Sequence, residues 1–179
     1  METIIMSFQP QVFPALCSGI KGFEYRPRFP ENQVIVYLYL SAPIKAIVGR
    51  MLVSERLELS QLTTQLAGNE QGIIRIQQHE AEGARFAIPI EKIEIFAETV
   101  SLIQAKEITG RFFAPQSYCY LKQTNPLFKL LKLRPIQKEI VIDPVVRQKY
   151  LGYFCDEIYQ LPNFTDNTSA LLGTHILSI

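Results

Sequence analysis

Four charged side chains near the amino terminus have the types and spacing needed to hold an anionic ligand. Lys21 is flanked by glycines, and Glu24, Arg26 and Arg28 follow at alternate positions. Lysine supplies a mobile positive charge, and the planar arginine guanidinium can hold a phosphate through two hydrogen bonds or stack on a base. Glu24 could orient Arg26 or accept a hydrogen bond from a base amino group. On these residues alone, an edge-strand ion-pair network without a ligand is the favoured interpretation.

The segment that carries these charges has the alternating pattern of a β-strand. In residues 23–29, Phe23, Tyr25 and Phe29 would face one side of the strand and the charged residues would face the other. Pro27 cannot donate a ladder hydrogen bond, so it limits this segment to a sheet edge or a bulge. The pattern therefore predicts charged side chains on one face of an edge strand.

Other segments predict the elements around this strand. Residues 33–41 are nearly continuously apolar and rich in β-branched and aromatic residues, which predicts a central strand. Gly49 predicts a bulge in a strand over residues 46–58. Further strands are predicted over residues 3–8, 84–96 (broken by Pro89), 99–109 and 138–142, and a loop leads into a strand over 111–121. Helices are predicted as a turn ending near Gly19 and over residues 60–67, 71–82 and 126–134.

The charged segment resembles the ASCH motif, a Gly-x-Lys-x-x-Glu-x-Arg pattern that follows a strand and a helix. Gly19, Lys21, Glu24 and Arg26 match it, and the stretches VIVYLYLSAP with IKAIVGRMLV, GARFAIPI and FFAPQSYCYL agree in order and character. The resemblance covers about residues 3–121. It implies an α+β fold, a PUA-like mixed β-barrel with helices over the barrel ends. We expect residues 1–121 to form this domain and residues 122–179 to form an extension packed on the barrel.

The resemblance also implies a ligand, namely RNA or a nucleotide held in a cleft beside the barrel. Lys21, Glu24 and Arg26 would face this cleft together with Arg28. By the same resemblance, three residues of the PQSY stretch would line it, and these are Gln116, Ser117 and Tyr118. A glutamine amide can bind a base edge and a tyrosine ring can stack on a base, although ordinary strand packing is the alternative for Tyr118.

Charge along the chain is uneven although the total is close to zero. The 179 residues contain 47% hydrophobic and 20% charged residues and carry a formal charge of +1, which predicts a globular protein and gives no overall basic excess. Residues 105–150, however, contain 9 basic and 3 acidic residues, a net charge of +6. The basic segment 129–138 could assist phosphate binding or simply be a solvated helix face. A cationic site of limited size fits a nucleotide or a short single strand better than a long duplex.

An enzyme acting on RNA or on a modified nucleoside is the first alternative function. Some ASCH relatives are amidohydrolases of acetylated cytidine and at least one is a ribonuclease. In the amidohydrolases a threonine nucleophile follows the motif lysine by three residues, where this chain has Glu24. If the chain is an enzyme, Lys21 and Glu24 are the candidate catalytic residues. His79 and His175 are interpreted as surface or packing residues.

A protein-interaction module without a nucleic-acid ligand is the second alternative, because residues 122–179 could cover the cleft or dock to a partner. We expect no metal, since the helix segment HEAE lacks the second histidine of a zinc-binding pattern, and no cofactor. Cys17, Cys119 and Cys155 are far apart and predict reduced thiols. The sequence shows neither a membrane span nor a secretory signal, which predicts a cytoplasmic protein; it does not predict the oligomeric state.

Overall fold

A computed structural model describes residues 1–66 and 68–172 of the chain. The strands are β1 (Glu2–Phe8), β2 (Phe23–Arg26), β3 (Val34–Leu40), β4 (Ala46–Val53), β5 (Leu57–Glu58), β6 (Phe86–Ser101), β7 (Tyr118–Tyr120) and β8 (Ile136–Val141). The helices are α1 (Phe13–Cys17), α2 (Leu59–Gln65), α3 (Glu70–Ala81), α4 (Leu102–Thr109), α5 (Pro126–Lys132), α6 (Pro144–Lys149), α7 (Cys155–Tyr159) and α8 (Thr168–Leu172). A 3₁₀ turn, Pro10–Val12, precedes α1. None of the helices within the described residues is long and apolar enough to cross a bilayer.

The strands form one mixed, curled sheet in the order β2-β6-β4-β3-β1-β7. Strands β1 and β3 pair in parallel, whereas the other pairs are antiparallel. The sixteen-residue β6 joins two groups of strands, because its start pairs with β2 and β5 and its later part pairs with β4 and β8. The predicted α+β class with a mixed barrel-like sheet is confirmed.

Apolar residues on the two faces of the sheet form separate clusters. The largest cluster lies inside the curl and contains alternate residues of β1, β3, β4 and β6 together with α1. A second cluster packs α4 and α5 against the outer face around Tyr37 and Phe96. A third packs α2 and α3 against β2 through Phe23 and Ile76. The side of β2 that carries Phe23 is therefore covered by α2 and α3.

Two predicted features of the central strands are confirmed. Strand β3 lies between β1 and β4 and is almost completely buried. At Gly49 the pairing of β4 with β6 shifts register, as a bulge requires. A Cβ atom added to Gly49 would lie 2.3 Å from the Glu94 carbonyl oxygen, so the two backbones approach too closely for any side chain.

Two predictions for the region around β6 were wrong. Pro89 does not break the strand, because it lies where β6 changes partner from β2 to β4 and the register shifts, so its missing N–H disrupts no continuous ladder. Residues 102–109 form helix α4 rather than a strand. The reciprocal hydrogen bonds of Ser101 and Gln104 form a capping box at its start, and this short signal outweighs the β-branched composition.

The last third of the described chain is built into the fold. The predicted helix and strand are present as α5 and β8, and β8 pairs with β6. Residues of α6 and α7, with the segments that follow them, pack around Ala15 and Ile20 beside α1. The boundary at residue 121 between a domain and an extension stays a prediction.

Candidate functional site

A cleft of about 490 Å³ opens beside β2, where the ends of β1 and β3 meet two loops. Its walls combine cationic, acidic, amide and aromatic side chains. The lining residues include Phe8, Glu24, Arg26, Tyr39, Lys45 and Gln116. These residues come from five separate segments of the chain, and the pairing of β1 with β3 and of β2 with β6 brings them together.

Glu24 lies at the centre of an ion-pair triad in the wall of the cleft. Its Oε2 atom is 3.3 Å from Nζ of Lys21, and its Oε1 atom is 3.0 Å from Nε of Arg26. The Glu24 side chain is only 10% exposed. Neither Oε2 of Glu24 nor Nε of Arg26 makes a well-aligned hydrogen bond within the described residues, so charge attraction alone holds these contacts. The triad is therefore a buried group whose opposite charges partly balance one another in the cleft wall.

Arg26 connects β2 to β1 across the floor of the cleft. An Nη atom of Arg26 donates a hydrogen bond of 3.1 Å to the Ser7 carbonyl oxygen, and its guanidinium carbon lies 5.1 Å from the centre of the Phe8 ring. These contacts hold the guanidinium plane beside an aromatic ring. The Arg26 guanidinium group is thus held in place before any ligand binds. The Nη atom that donates to Ser7 is already used, and fewer donors remain for a ligand.

Lys21 is placed behind the cleft and does not line it. Its ammonium group donates a hydrogen bond of 2.9 Å to the Phe23 carbonyl oxygen and lies 5.6 Å from the Tyr25 ring centre. Helix α6 covers the neighbouring backbone, because Arg147 occupies the space where a Gly22 side chain would be. The carboxy-terminal segment therefore buries Lys21 and leaves Glu24 and Arg26 in the cleft wall.

The other candidate residues are divided between the cleft and its surroundings. Gln116 is exposed and lines the cleft. Arg28 is exposed beyond the end of β2 and is not part of the cleft wall, because the strand ends before Pro27. Ser117 and Tyr118 are half-buried, and neither lines the cleft. The Tyr118 ring instead packs 6.1 Å from the Phe29 ring, which is the strand-packing alternative.

Three of the cleft residues named above were missed from the sequence, namely Phe8, Tyr39 and Lys45. Lys45 is exposed and follows β3 in a tight loop, where its backbone has the left-handed angle φ 49°. Its amide donates to the Ser41 carbonyl oxygen, and its own carbonyl oxygen accepts from Leu102 at the start of α4. Few non-glycine residues in proteins have this backbone conformation, and those that do are concentrated at functional sites. No local sequence signal distinguishes Lys45 from an ordinary loop lysine.

His79 has the packing role that was predicted for it. Its ring is stacked between Tyr25, at 3.7 Å, and Phe154, at 4.0 Å, and its Nε2 hydrogen donates to the Gly152 carbonyl oxygen. Burial lowers the pKa of His79 to about 4, although the hydrogen bond to Gly152 acts in the opposite direction. The Tyr25 hydroxyl accepts a hydrogen bond from the Gly152 amide. His79 thus joins α3 to the carboxy-terminal segment and supports Tyr25, whereas His175 lies outside the described residues.

The cysteines of the described chain are free thiols. Cys17 is buried in the largest apolar cluster, and burial raises its pKa to about 12, so it is a packing residue rather than a nucleophile. Within residues 1–66 and 68–172, no group of three or more His, Cys, Asp or Glu side chains could hold a metal ion. The side chains that line the cleft offer charge and hydrogen bonding.

The curled mixed sheet with its covering helices is an α+β fold, and it is similar to solved structures of ASCH proteins. The crystal structure of ASCH from Zymomonas mobilis is similar to this chain with a TM-score of 0.55 and 24% sequence identity, over 74% of this chain and 95% of that chain. A serine-to-alanine variant of that protein has a TM-score of 0.56 and 21% sequence identity, over 74% of this chain and 96% of that chain. A tyrosine-to-phenylalanine variant has a TM-score of 0.56 and 22% sequence identity, over 75% of this chain and 99% of that chain. Neither family models nor curated protein sequences match the chain. The chain has the ASCH fold, which confirms the predicted resemblance at the level of structure.

Proposed function

We propose that the chain binds RNA or a nucleotide in the cleft lined by Arg26, Lys45 and Gln116. The observation that carries this proposal is the combination of an exposed ammonium group, a positioned guanidinium group and an exposed side-chain amide in one cleft. The two cations can bind phosphate groups, and the amide can both donate to and accept from a base edge. The ASCH fold supports the same class of ligand.

The charges at the cleft limit the size of the ligand. Lys21, Arg26 and Lys45 contribute three positive charges and Glu24 contributes one negative charge, so the net charge of this group is about +2. Glu24 offsets part of the field of the motif cations, and Lys21 acts only from behind the wall. A charge of this size suits one or two phosphate groups, which is a nucleotide or a short single strand.

Lys45 offers the cleanest test, because it is exposed and its ammonium group forms no ion pair within the described residues. Binding of fluorescently labelled single-stranded RNA should be measured by anisotropy at several salt concentrations. We expect Lys45→Gln to weaken binding about tenfold. It should also reduce the slope of log K against log salt concentration by about 0.7, which corresponds to one phosphate contact on a single strand.

The matched control is Lys149→Gln, which removes an exposed lysine on α6 outside the cleft. It should leave both affinity and salt slope unchanged. An equal loss in the two variants would mean that only overall charge matters, and the absence of binding by the native chain to every RNA and nucleotide tested would refute the proposal.

An enzyme acting on RNA or a modified nucleoside at the same cleft is the second candidate, and one observation favours it. Glu24 lies in the wall of the cleft, so its carboxylate could accept a proton from a bound ligand. Lys21, in contrast, is occupied by the Phe23 carbonyl oxygen and by Glu24. Chromatography of RNA and nucleosides incubated with the folded chain would reveal reaction products. Binding without any product would contradict the enzyme function and support only the binding function.

A further inference from the structure

The segment from Arg111 to Gln116 forms one rim of the cleft and presents an aromatic ring to solvent. Its two phenylalanines have opposite environments. The Phe112 ring is buried and lies 6.3 Å from the ring of Tyr39, whereas Phe113 is 67% exposed. Single exposed apolar residues are common on protein surfaces, and what distinguishes Phe113 is its place directly before the cleft-lining residues 114–116.

This rim is fixed to the body of the sheet on both sides of Phe113. On one side, Phe112 is held in the apolar cluster that contains Tyr39. On the other, the Ser7 hydroxyl donates a hydrogen bond of 2.6 Å to the Pro115 carbonyl oxygen, and the Ser7 amide donates one of 3.0 Å to the Ser117 carbonyl oxygen. The next residues along the chain, Ala114 to Gln116, line the cleft. Phe113 is therefore held next to the cleft by contacts that do not involve its own ring.

Arg111 lies beside this exposed ring. Its guanidinium carbon is 5.3 Å from the centre of the Phe113 ring. No carboxylate in the described part of the chain forms an ion pair with Arg111, in contrast to Arg26. An aromatic face and an unneutralised guanidinium group at adjacent positions are the two components that bind an unpaired base and its phosphate.

We propose that Phe113 and Arg111 form a second nucleotide-binding position at the rim, next to the cleft. This inference rests on the proposed function of the cleft and adds the length of its ligand. A first nucleotide occupies the cleft, and the base of the adjacent nucleotide stacks on Phe113 while Arg111 binds its phosphate. The preferred ligand is then single-stranded RNA of at least two nucleotides rather than a mononucleotide, and a duplex is excluded because its bases are already stacked and paired.

The test compares ligands of different length on the same protein. Calorimetry should measure the affinity of the full chain for adenosine 5′-monophosphate, for the trinucleotide of adenylate and for the trinucleotide of uridylate. We expect the native chain to bind the trinucleotides at least tenfold more tightly than the mononucleotide. Phe113→Ala should remove this difference and leave the affinity for the mononucleotide unchanged, whereas Phe113→Trp should preserve it.

Two further variants complete the design. Arg111→Gln should reduce the salt slope for a trinucleotide by about 0.7 and leave that for the mononucleotide unchanged. Val145→Ala, which shortens an equally exposed apolar side chain on α6, should change neither affinity. Both Phe113 and Val145 are exposed, so their variants are expected to fold.

The outcomes separate this inference from the proposal on which it rests. If Phe113→Ala leaves the affinity for all three ligands unchanged, the second position is refuted while the cleft remains a binding site. If sedimentation then shows that Phe113→Ala changes the mass of the particle in solution, the ring is assigned to a contact between proteins. If Phe113→Ala weakens mononucleotide and trinucleotides equally, the ring belongs to the first position and the inference is also refuted. If the native chain binds none of the three, the proposed function itself fails.

Discussion

Replacement of Glu24 by glutamine tests the reasoning about the buried triad. The side chains of Lys21, Glu24 and Arg26 are 8%, 10% and 18% exposed, so the two cations depend on one carboxylate that solvent hardly reaches. Glu24→Gln keeps the shape of the side chain but leaves both positive charges without a counter-charge. Removal of one partner from a buried ion pair costs about 3–5 kcal/mol. We expect the free energy of unfolding to fall by about that amount, a large part of the 5–15 kcal/mol typical of a folded domain.

Urea unfolding followed by circular dichroism measures this loss from the midpoint and slope of the transition. The matched control is Glu98→Gln, which removes a carboxylate that pairs with Arg134 but is 73% exposed, and it should cost less than about 1 kcal/mol. The double variant Lys21→Met, Glu24→Gln should be more stable than Glu24→Gln alone, because the uncompensated ammonium group is also removed. A loss of less than about 1 kcal/mol for Glu24→Gln, equal to that of the control, would refute the view that the triad is a buried structural unit.

Two further predictions concern the contacts that support the cleft from behind. Gly22→Ala should lower the urea midpoint, because the added Cβ would lie 2.5 Å from Cγ and 2.9 Å from the backbone Cα of Arg147. A midpoint equal to that of the native chain would contradict the close packing of α6 on Gly22. His79 has a pKa of about 4 in the folded chain and 6.5 when unfolded, so between these values the unfolded state binds the extra proton and stability rises with pH, by at most about 1.4 kcal/mol per unit. In His79→Phe the new ring should stack in the same place but cannot titrate, so the free energy of unfolding should change less with pH between pH 4 and 6.5. If the variant has the same slope as the native chain, His79 is not buried and its ring lies in solvent.

Much of the fold could be predicted from local patterns. The continuous apolar run of β3, the glycine of the β4 bulge and the proline at the start of α5 each specify a structure through their own backbone preferences. The same approach failed at β6 and α4. At Pro89 the strand changes its pairing partner, and at Ser101 a capping box of two residues starts a helix. The average composition of the surrounding residues predicted neither feature.

The sequence by itself determined the motif charges and the strand that carries them. Alternation along β2 correctly placed Phe23 against apolar residues and Glu24 and Arg26 on the cleft side, because successive side chains of a strand must face opposite ways, whereas Tyr25 packs on the apolar cluster and also contributes to the cleft wall.

Only the tertiary structure decided which side chains reach the cleft. It buried Lys21 beneath the carboxy-terminal segment, turned Tyr118 towards Phe29, and added Tyr39 and Lys45 from the end of β3. The reason is physical: the cleft exists where segments more than a hundred residues apart are joined by strand pairing and by the hydrogen bonds of Ser7 to residues 115 and 117. No local periodicity encodes such contacts.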